Sequence, residues 1–293
     1  MARNRSIRFF IELIFFRLFS TTIAQLPRTL ALSLGAWLGR CCHALFGKRR
    51  RMAEENMRHA LSELSPTEVR SEVRKMFIHL GIVAMELLML KRFHDEPDLS
   101  KYFDFEGLDN LREAHARGKG VLLLTGHLGF WEAGTFFLPK LGFPTAFIAK
   151  KMRNPRMDAF ITRNRELSGG EVIDAKRGAR RILKALGEGK VVCILPDQDN
   201  RDGEAVEFFG RPARTTTMVA QLALKTGAAV VPGFTLRTQD NRYLSIFEPP
   251  LDFPVTDGPD NQHENTLLVN QVLEKAIRRE PSQWFWLHKR WRV

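Results

Sequence analysis

Residues 121–149 read VLLLTGHLGFWEAGTFFLPKLGFPTAFIA, and this stretch decides the fold class. An apolar run at 121–126 is typical of a buried strand, residues 129–141 have a helical pattern, and a second apolar run follows at 144–149. A strand, a helix and a strand in this order predict one unit of a parallel sheet, with the right-handed crossover that such units adopt.

The same alternation continues on both sides of this unit. Upstream, Ser65, Pro66 and Glu68 form a capping-box start, which predicts a long helix that continues to Leu90. Downstream, further strands are predicted at 171–174, 191–197 and 228–237, and helices at 155–168, 176–187 and 215–226. The pattern therefore predicts an α/β fold with a mostly parallel mixed sheet flanked by helices.

The net charge of +12, from 45 Lys and Arg against 33 Asp and Glu, is concentrated in two regions. Residues 1–60 carry +8 and residues 278–293 carry +4, whereas residues 61–277 are neutral overall. A nucleic-acid-binding protein more usually spreads Lys and Arg over its folded body or along a recognition helix, so this distribution favours an anionic membrane surface over nucleic acid. The three cysteines form no Cys-x-x-Cys pair, so the sequence indicates neither a disulfide framework nor a zinc finger, and it fits a cytoplasmic site of action.

Two apolar segments, residues 7–26 and 29–47, accompany the N-terminal charge. The first is long enough to span a bilayer, but Glu12 and Arg17 would each cost roughly 2.5 to 3.5 kcal/mol at its centre, so a helix that lies in the interface is the better interpretation. The second ends in the basic run 48–51, as in a segment held against anionic headgroups. An ordinary core helix followed by a solvated charge run has the same pattern.

We therefore predict two parts: an N-terminal membrane-anchoring helical region at residues 1–60, and a single catalytic domain at residues 61–293. The basic flank before the first apolar segment favours a cytoplasmic N-terminal side.

The candidate catalytic residues follow the first strand of the quoted stretch. His127 comes directly after it, at the carboxyl end of a strand, where ligands of open α/β sheets bind. Glu132 lies five residues further on, and a bend at Gly129 would let its carboxylate fold back to the imidazole. Such a pair would act as a general base on an external alcohol. The alternative is that His127 only caps the helix and Glu132 lies on its solvated first turn.

The segment GHLGFWE, residues 126–132, resembles the H-x4-D/E block of glycerolipid and lipid A acyltransferases. It has the G-H-x-G-x-W-E form of the lipid A late acyltransferases, the lauroyl and myristoyl transferases of lipopolysaccharide synthesis. The resemblance implies that His127 is the base and that Glu132 orients it. The sequence departs from the common family string at Phe130, where Asn is more usual, and this residue is expected on the wall of the active-site groove.

Further blocks resemble the same family in the same order. In residues 150–174, Arg163 and Arg165 are both candidates for the family arginine that holds phosphate or an oxyanion, and the sequence does not separate them; a solvated helix arginine is the alternative for each. Asp197, in a P-D-Q turn after a strand, is expected to orient an arginine or a substrate hydroxyl, or else to cap turn amides. In the C-terminal block PSQWFWLHKRWR, residues 281–292, Trp284, Trp286 and Trp291 fit either a membrane interface or a helix that caps the core.

The resemblance implies a membrane-bound O-acyltransferase. The expected donor is an acyl carrier protein thioester, and the expected acceptor is a hydroxyl of a phosphorylated glycolipid, a lipid A precursor, at the cytoplasmic face of the bacterial inner membrane. No metal and no organic cofactor are implied, because a thioester is already activated. The alternatives are acylation of another lipid, such as a lysophospholipid, a phosphatidylinositol mannoside or an aminolipid, and, in another class, a non-catalytic basic protein that binds membranes or nucleic acid.

Overall fold

The computed structural model describes residues 2–176, 178–253 and 261–292. The helices are α1 (Ala2–Gln25), α2 (Arg28–Leu45), α3 (Gly47–Ala60), α4 (Pro66–Leu88), α5 (Leu90–Asp95), α6 (Leu108–Ala116), α7 (Gly134–Lys140), α8 (Pro155–Arg165), α9 (Ala179–Gly187), α10 (Met218–Thr226) and α11 (Asn261–Arg279). The strands are β1 (Phe103–Glu106), β2 (Val121–Leu124), β3 (Thr145–Ala149), β4 (Glu171–Asp174), β5 (Val191–Ile194), β6 (Glu204–Phe208), β7 (Arg211–Thr215), β8 (Ala229–Arg237) and β9 (Tyr243–Phe247).

Seven strands form one sheet in the order β1-β9-β8-β2-β5-β3-β4. The five strands from β8 to β4 are parallel, β9 runs antiparallel to β8, and β1 is parallel to β9. Strands β6 and β7 form a separate hairpin. The predicted α/β fold with a mostly parallel mixed sheet is confirmed, and all five predicted strands are present. Strands β1, β6, β7 and β9 were not predicted.

The central strands β2 and β5 are apolar and buried on both faces, as expected of parallel strands between helical layers. Alternate side chains divide between two cores. Leu122 and Leu124 pack with residues of α9, α10 and α11, whereas Leu123 packs with residues of α6 and α7. The carboxyl ends of these strands are therefore held between two packed layers of helices.

Helix α4 begins at the predicted capping box: the Ser65 hydroxyl accepts from the Glu68 N–H, and the Glu68 carboxylate accepts from the Ser65 N–H. Helix α2 packs against it by direct backbone approach, because a Cβ on Gly81 would lie 2.1 Å from the Gly35 carbonyl oxygen. Met57 of α3 is buried in the same core as α4. The N-terminal helices thus pack on the rest of the chain.

Large apolar side chains remain exposed on α1 and at the end of α2, including Phe15 at 69% and Leu45 at 78%. Within the part of the chain that the structure describes, no single helix is long and apolar enough to cross a membrane. The pair α2 and α3 meets those criteria only jointly, with a bend of 92° between the two helices.

The C-terminal block differs from both expectations for its tryptophans. It is not a helix beyond a 3-10 turn at Pro281–Gln283, and Trp284 and Trp286 are buried against Phe208 and Phe209. The membrane-interface interpretation is therefore wrong for these two residues. Arg290 is also fully buried, where it donates to the Arg214 carbonyl and the Thr215 hydroxyl, so its charge faces the protein interior.

Candidate active site

His127 and Asp197 meet because their strands are neighbours in register. Strands β2 and β5 pair in parallel with Leu124 opposite Ile194, and each candidate residue lies three positions beyond its strand's last pair. His127 Nδ1 is 2.8 Å from Asp197 Oδ1, and the His127 backbone N–H donates to Oδ2 at 2.7 Å. Asp197 thus holds both the ring and the backbone of His127.

The Asp197 side chain is an ionised acceptor in a buried place. It is 1% exposed, and the Trp284 indole N–H also donates to Oδ2, at 2.8 Å. Burial raises the pKa of Asp197, but the charge of His127 and the hydrogen bonds from His127 and Trp284 lower it more, so the net pKa lies below the usual value. Because an ionised carboxylate only accepts, Nδ1 of His127 carries the proton and Nε2 of the neutral ring has a free lone pair.

His127 is the one member of this group with access to solvent, with 26% of its side chain exposed. Burial lowers the pKa of His127. The Asp197 carboxylate and, more weakly, the Glu132 charge raise it by more than burial lowers it, so the net pKa lies above the usual value. A ring held in this tautomer with a raised pKa has the properties of a general base.

Glu132 is directed to an arginine. Its two carboxylate oxygens accept from Arg165 Nε at 2.9 Å and from Arg165 Nη2 at 2.5 Å, a bidentate ion pair between a 3-10 turn and the end of α8. The expected hydrogen bond from Glu132 to His127 is therefore wrong in this structure: the bend at Gly129 places Glu132 near the imidazole, but its oxygens are taken by Arg165, and the carboxylate on the ring is Asp197. Glu132 acts on His127 only through its charge.

The two candidate arginines are now distinguished. Arg165 lines the cavity at His127, whereas Arg163 is exposed and does not line it. Burial lowers the pKa of Arg165, but the hydrogen bonds and charge of Glu132 raise it by more, so the net pKa lies above the usual value. Because Glu132 uses only Nε and Nη2, Nη1 of Arg165 is available to donate to an anion in the cavity.

The turn between His127 and Glu132 is fixed through its backbone. Gly129 has φ of +61°, and a Cβ there would lie 1.9 Å from the Thr235 carbonyl oxygen, so only glycine fits. The Gly129 N–H donates to the Gln283 carbonyl, and the Phe130 N–H donates to the Thr235 carbonyl. Phe130 itself is fully buried among aromatic rings, so the expectation that it lies on the groove wall is wrong.

His127 opens into a cavity of about 1270 Å³ at the carboxyl edge of the sheet. Its interior between the sheet and α7 is apolar, with Leu123, Phe137, Phe147, Cys193 and Phe247. Its other walls are basic, with Arg49, Lys150, Arg165, Lys176, Arg201, Lys289 and Arg292 against Glu132, Asp199 and Asp202. Among the residues that the structure describes, no three His, Cys, Asp or Glu side chains are grouped so that they could hold a metal ion.

The sequence pattern that defines the bacterial lipid A biosynthesis acyltransferases matches residues 3–293. The chain belongs to this family. The lipid A biosynthesis lauroyltransferase of Escherichia coli is 29% identical over 277 residues, which are 92% of this chain and 88% of that relative. The palmitoleoyltransferase of the same organism is 28% identical over 272 residues, covering 92% and 87%. The chain is thus an acyltransferase, and the family resemblance of its blocks is confirmed.

Two further similarities of this acyltransferase are weaker. The phosphatidylinositol mannoside acyltransferase of Mycobacterium tuberculosis is 35% identical over 132 residues, covering 43% of this chain and 42% of that relative. The crystal structure of the 1-acyl-sn-glycerophosphate acyltransferase of Thermotoga maritima covers 86% of this chain and 97% of its own, at 15% identity and a TM-score of 0.39, which is too low to support an assignment.

The contact of Asp197 with His127 in this acyltransferase was not predicted, although the sequence contains a signal for it. VLLLTGH, residues 121–127, and VVCILPD, residues 191–197, have the same length from the first strand residue to the polar residue. Two buried parallel strands of equal length that end in His and Asp would place these side chains together if the strands were neighbours in register. No such signal points to Trp284.

Proposed function

We propose that this acyltransferase moves a fatty acyl group from an acyl carrier protein thioester to a hydroxyl of a phosphorylated glycolipid, a lipid A precursor. The single observation that carries the proposal is His127, whose Nδ1 is fixed by the buried Asp197, at the mouth of a cavity with an apolar interior and basic walls. The family supplies the reaction class, a glycolipid acceptor and an acyl donor.

In this proposal the proton and the acyl group move in two steps. Nε2 of His127 takes the proton of the acceptor hydroxyl while the hydroxyl oxygen attacks the thioester carbonyl. The resulting imidazolium is stabilised by Asp197. The tetrahedral oxyanion then collapses, the carbon–sulfur bond breaks, and His127 returns the proton to the departing thiolate. Arg165, held by Glu132, stabilises the oxyanion or an acceptor phosphate through Nη1.

The residues that line the cavity suit both proposed substrates, the phosphorylated acceptor and the acyl chain of the donor. Of the seven basic residues that line it, only Arg165 forms an ion pair with a carboxylate in the described part of the chain. The other six, which include Arg201, Lys289 and Arg292, are available to bind phosphate groups. The apolar interior runs from His127 along β2 toward Leu123, a path of about 13 Å at the rise of a strand, and would receive the acyl chain.

The test is a transfer assay with purified protein, an acyl carrier protein thioester and a lipid A precursor, read by mass spectrometry. We expect His127→Ala to lose about 10²- to 10⁴-fold in kcat. His115→Ala is the matched control, because His115 contacts Phe143 outside the cavity, and its activity should be unchanged. Undiminished transfer by His127→Ala would refute the proposed base.

The acceptor is tested in the same assay. A lysophospholipid and a phosphatidylinositol mannoside are offered in parallel with the lipid A precursor, each at the same concentration and with the same thioester. Preferential acylation of either alternative would replace the glycolipid part of the proposal and leave the role of His127 intact.

The localisation is proposed from the N-terminal helices. We place the exposed apolar side chains of α1 and α2, with the basic run that begins α3, against the anionic cytoplasmic leaflet of the inner membrane. Residues 1–60 would then be the membrane-anchoring region and residues 61–293 the catalytic domain. Phe15→Asp with Leu18→Asp should weaken sedimentation with anionic vesicles, and exposed Leu224 on α10, changed to Asp, is the control. Unchanged sedimentation of the double variant would refute this placement.

A further inference from the structure

A second histidine contacts the turn that carries His127, from behind the active site. His79 lies on α4, is 1% exposed and does not line the cavity. Its Nε2 is 3.2 Å from the Gly129 carbonyl oxygen, in the turn between His127 and Glu132. Because a carbonyl oxygen only accepts, Nε2 of His79 carries the proton and donates it in this bond.

The other ring nitrogen of His79 accepts from an arginine. Arg237 Nη2 is 3.1 Å and Nε is 3.3 Å from His79 Nδ1, and a guanidinium has no lone pair to offer. Both contacts therefore require the same neutral tautomer. Burial, followed by the charge of Arg237, lowers the pKa of His79 to about 3, in agreement with a ring that stays neutral.

Arg237 is itself held in place by a partly buried polar cluster. Its Nη1 donates to the Asn241 side-chain oxygen at 3.1 Å, and Arg28 of α2 donates to the Asn241 carbonyl at 2.7 Å. Arg28 also pairs at 2.6 Å with Glu86, which is fully buried and accepts from the Tyr243 hydroxyl. His79 thus connects this cluster to the turn between His127 and Glu132.

Several backbone groups of the turn are fixed by main-chain partners, among them the His127 carbonyl, which accepts from the Phe285 N–H. The Gly129 N–H is held by the Gln283 carbonyl and the Phe130 N–H by the Thr235 carbonyl, but the Gly129 C=O is held by His79. Rotation of this peptide group would change the direction of the chain toward Glu132, and with it the place of Arg165 relative to His127.

We propose that His79 is a positioning residue for acyl transfer: its neutral imidazole fixes the Gly129 carbonyl and thereby the arrangement of His127 and the Glu132–Arg165 pair. The effect on rate rests on the proposed role of His127. A displacement of about 1 Å in a reacting group is enough to lower the rate by up to about a hundredfold.

Two amide substitutions separate the two bonds of the ring. In His79→Gln the side-chain amide reaches the position of Nε2, so it can still donate to Gly129. In His79→Asn the shorter amide matches Nδ1 and can accept from Arg237, but it does not reach Gly129. We expect His79→Asn to lower kcat roughly ten- to hundredfold, with KM for both substrates little changed because His79 does not line the cavity, and His79→Gln to restore most of kcat.

A control separates positioning from general loss of stability. Asn270→Leu removes another buried side chain, which donates to the Glu207 carbonyl away from the cavity, and should lower the melting temperature with kcat retained. Equal losses of kcat in His79→Asn and Asn270→Leu, or no recovery in His79→Gln, would overturn the proposal.

A readout that does not depend on activity completes the test. Amide hydrogen exchange at Gly129 and Phe130 should be faster in His79→Asn than in His79→Gln, and nitrogen NMR should show a protonated Nε2 on His79 between pH 5 and 8. Unchanged exchange would overturn the contact, and faster exchange with full kcat would overturn its role in catalysis. If His127→Ala retains activity while exchange responds to His79→Asn, the proposed base is wrong and the contact stands.

Discussion

Asp197→Asn separates activity from stability in this enzyme, because it keeps the shape of the side chain and changes its hydrogen bonding. The carboxylate has three donors: His127 N–H and Trp284 Nε1 on Oδ2, and His127 Nδ1 on Oδ1. An asparagine has one oxygen and one NH₂ group, so it must place its NH₂ on one of these two sides.

The donor count decides the orientation of the new amide. If its NH₂ takes the Oδ2 site, the buried N–H groups of His127 and Trp284 both lose an acceptor, at roughly 1 to 3 kcal/mol each, or about 2 to 6 kcal/mol together. If its NH₂ takes the Oδ1 site, it donates to His127 Nδ1, and the ring moves its proton to Nε2. The second arrangement keeps an acceptor for the N–H groups of His127 and Trp284 and leaves only the second N–H of the new amide unpaired, so it is favoured by at least about thirtyfold.

A neutral ring that is already protonated at Nε2 cannot take the proton of the substrate hydroxyl at that atom. We therefore expect kcat to fall about 10²- to 10⁴-fold with KM little changed, and the free energy of unfolding to fall by roughly 1 to 3 kcal/mol, the cost of one buried N–H without an acceptor. The assay is the transfer reaction with acyl carrier protein thioester, with urea unfolding of the same samples. Glu274→Gln is the control, because Glu274 is a partly buried carboxylate that accepts from the Phe209 N–H outside the cavity. An Asp197→Asn enzyme that keeps more than about a tenth of kcat would refute the tautomer argument.

Three other outcomes follow from the site. Because His127 must be neutral to act and its pKa is raised, kcat/KM should rise with pH through a midpoint above about 6.5, and a midpoint well below 6 would contradict the Asp197 contact. Arg165→Ala should lower kcat/KM by at least about tenfold, since it removes a charge-assisted bond to an anion and leaves Glu132 unpaired, whereas exposed Arg163→Ala should match the unmodified enzyme; equal effects would show that α8 is misplaced. Gly134 lines the cavity, and a Cβ there would meet its nearest side-chain atom at 3.4 Å, so Gly134→Ala should fit and Gly134→Leu should shift donor preference to shorter acyl chains in a competition assay; an unchanged preference would place the chain elsewhere.

Strands β2, β3 and β5 could be predicted from the sequence because each is a short, mostly apolar run before a turn. The missed strands have other patterns. Strand β7 reads RPART, with a proline and two arginines, and is stabilised by pairing with β6 rather than by its own propensity. Strand β9 alternates buried and half-buried residues and depends on β1 and β8 on either side.

The site shows the same division between local and long-range information. His127 and the need for Gly129 are encoded in seven consecutive residues, and both were predicted. The partners of the charged groups are not local: Asp197 lies 70 residues from His127, and Arg165 lies 33 residues from Glu132. Which side chain a carboxylate binds depends on what the tertiary packing places beside it. Here the end of α8 places Arg165 beside Glu132.

The hydrogen bond from Trp284 to Asp197 also sets an order of assembly during synthesis. Trp284 follows His127 by 157 residues, so at about 5 to 20 residues per second the ribosome adds it roughly 8 to 31 s later. All seven strands of the sheet have been made by then, but the Asp197 carboxylate still lacks one of its three donors, and the Gly129 N–H lacks the Gln283 carbonyl. A nascent chain can therefore contain every strand of its sheet before the proposed general base, His127, has its full set of backbone and side-chain contacts.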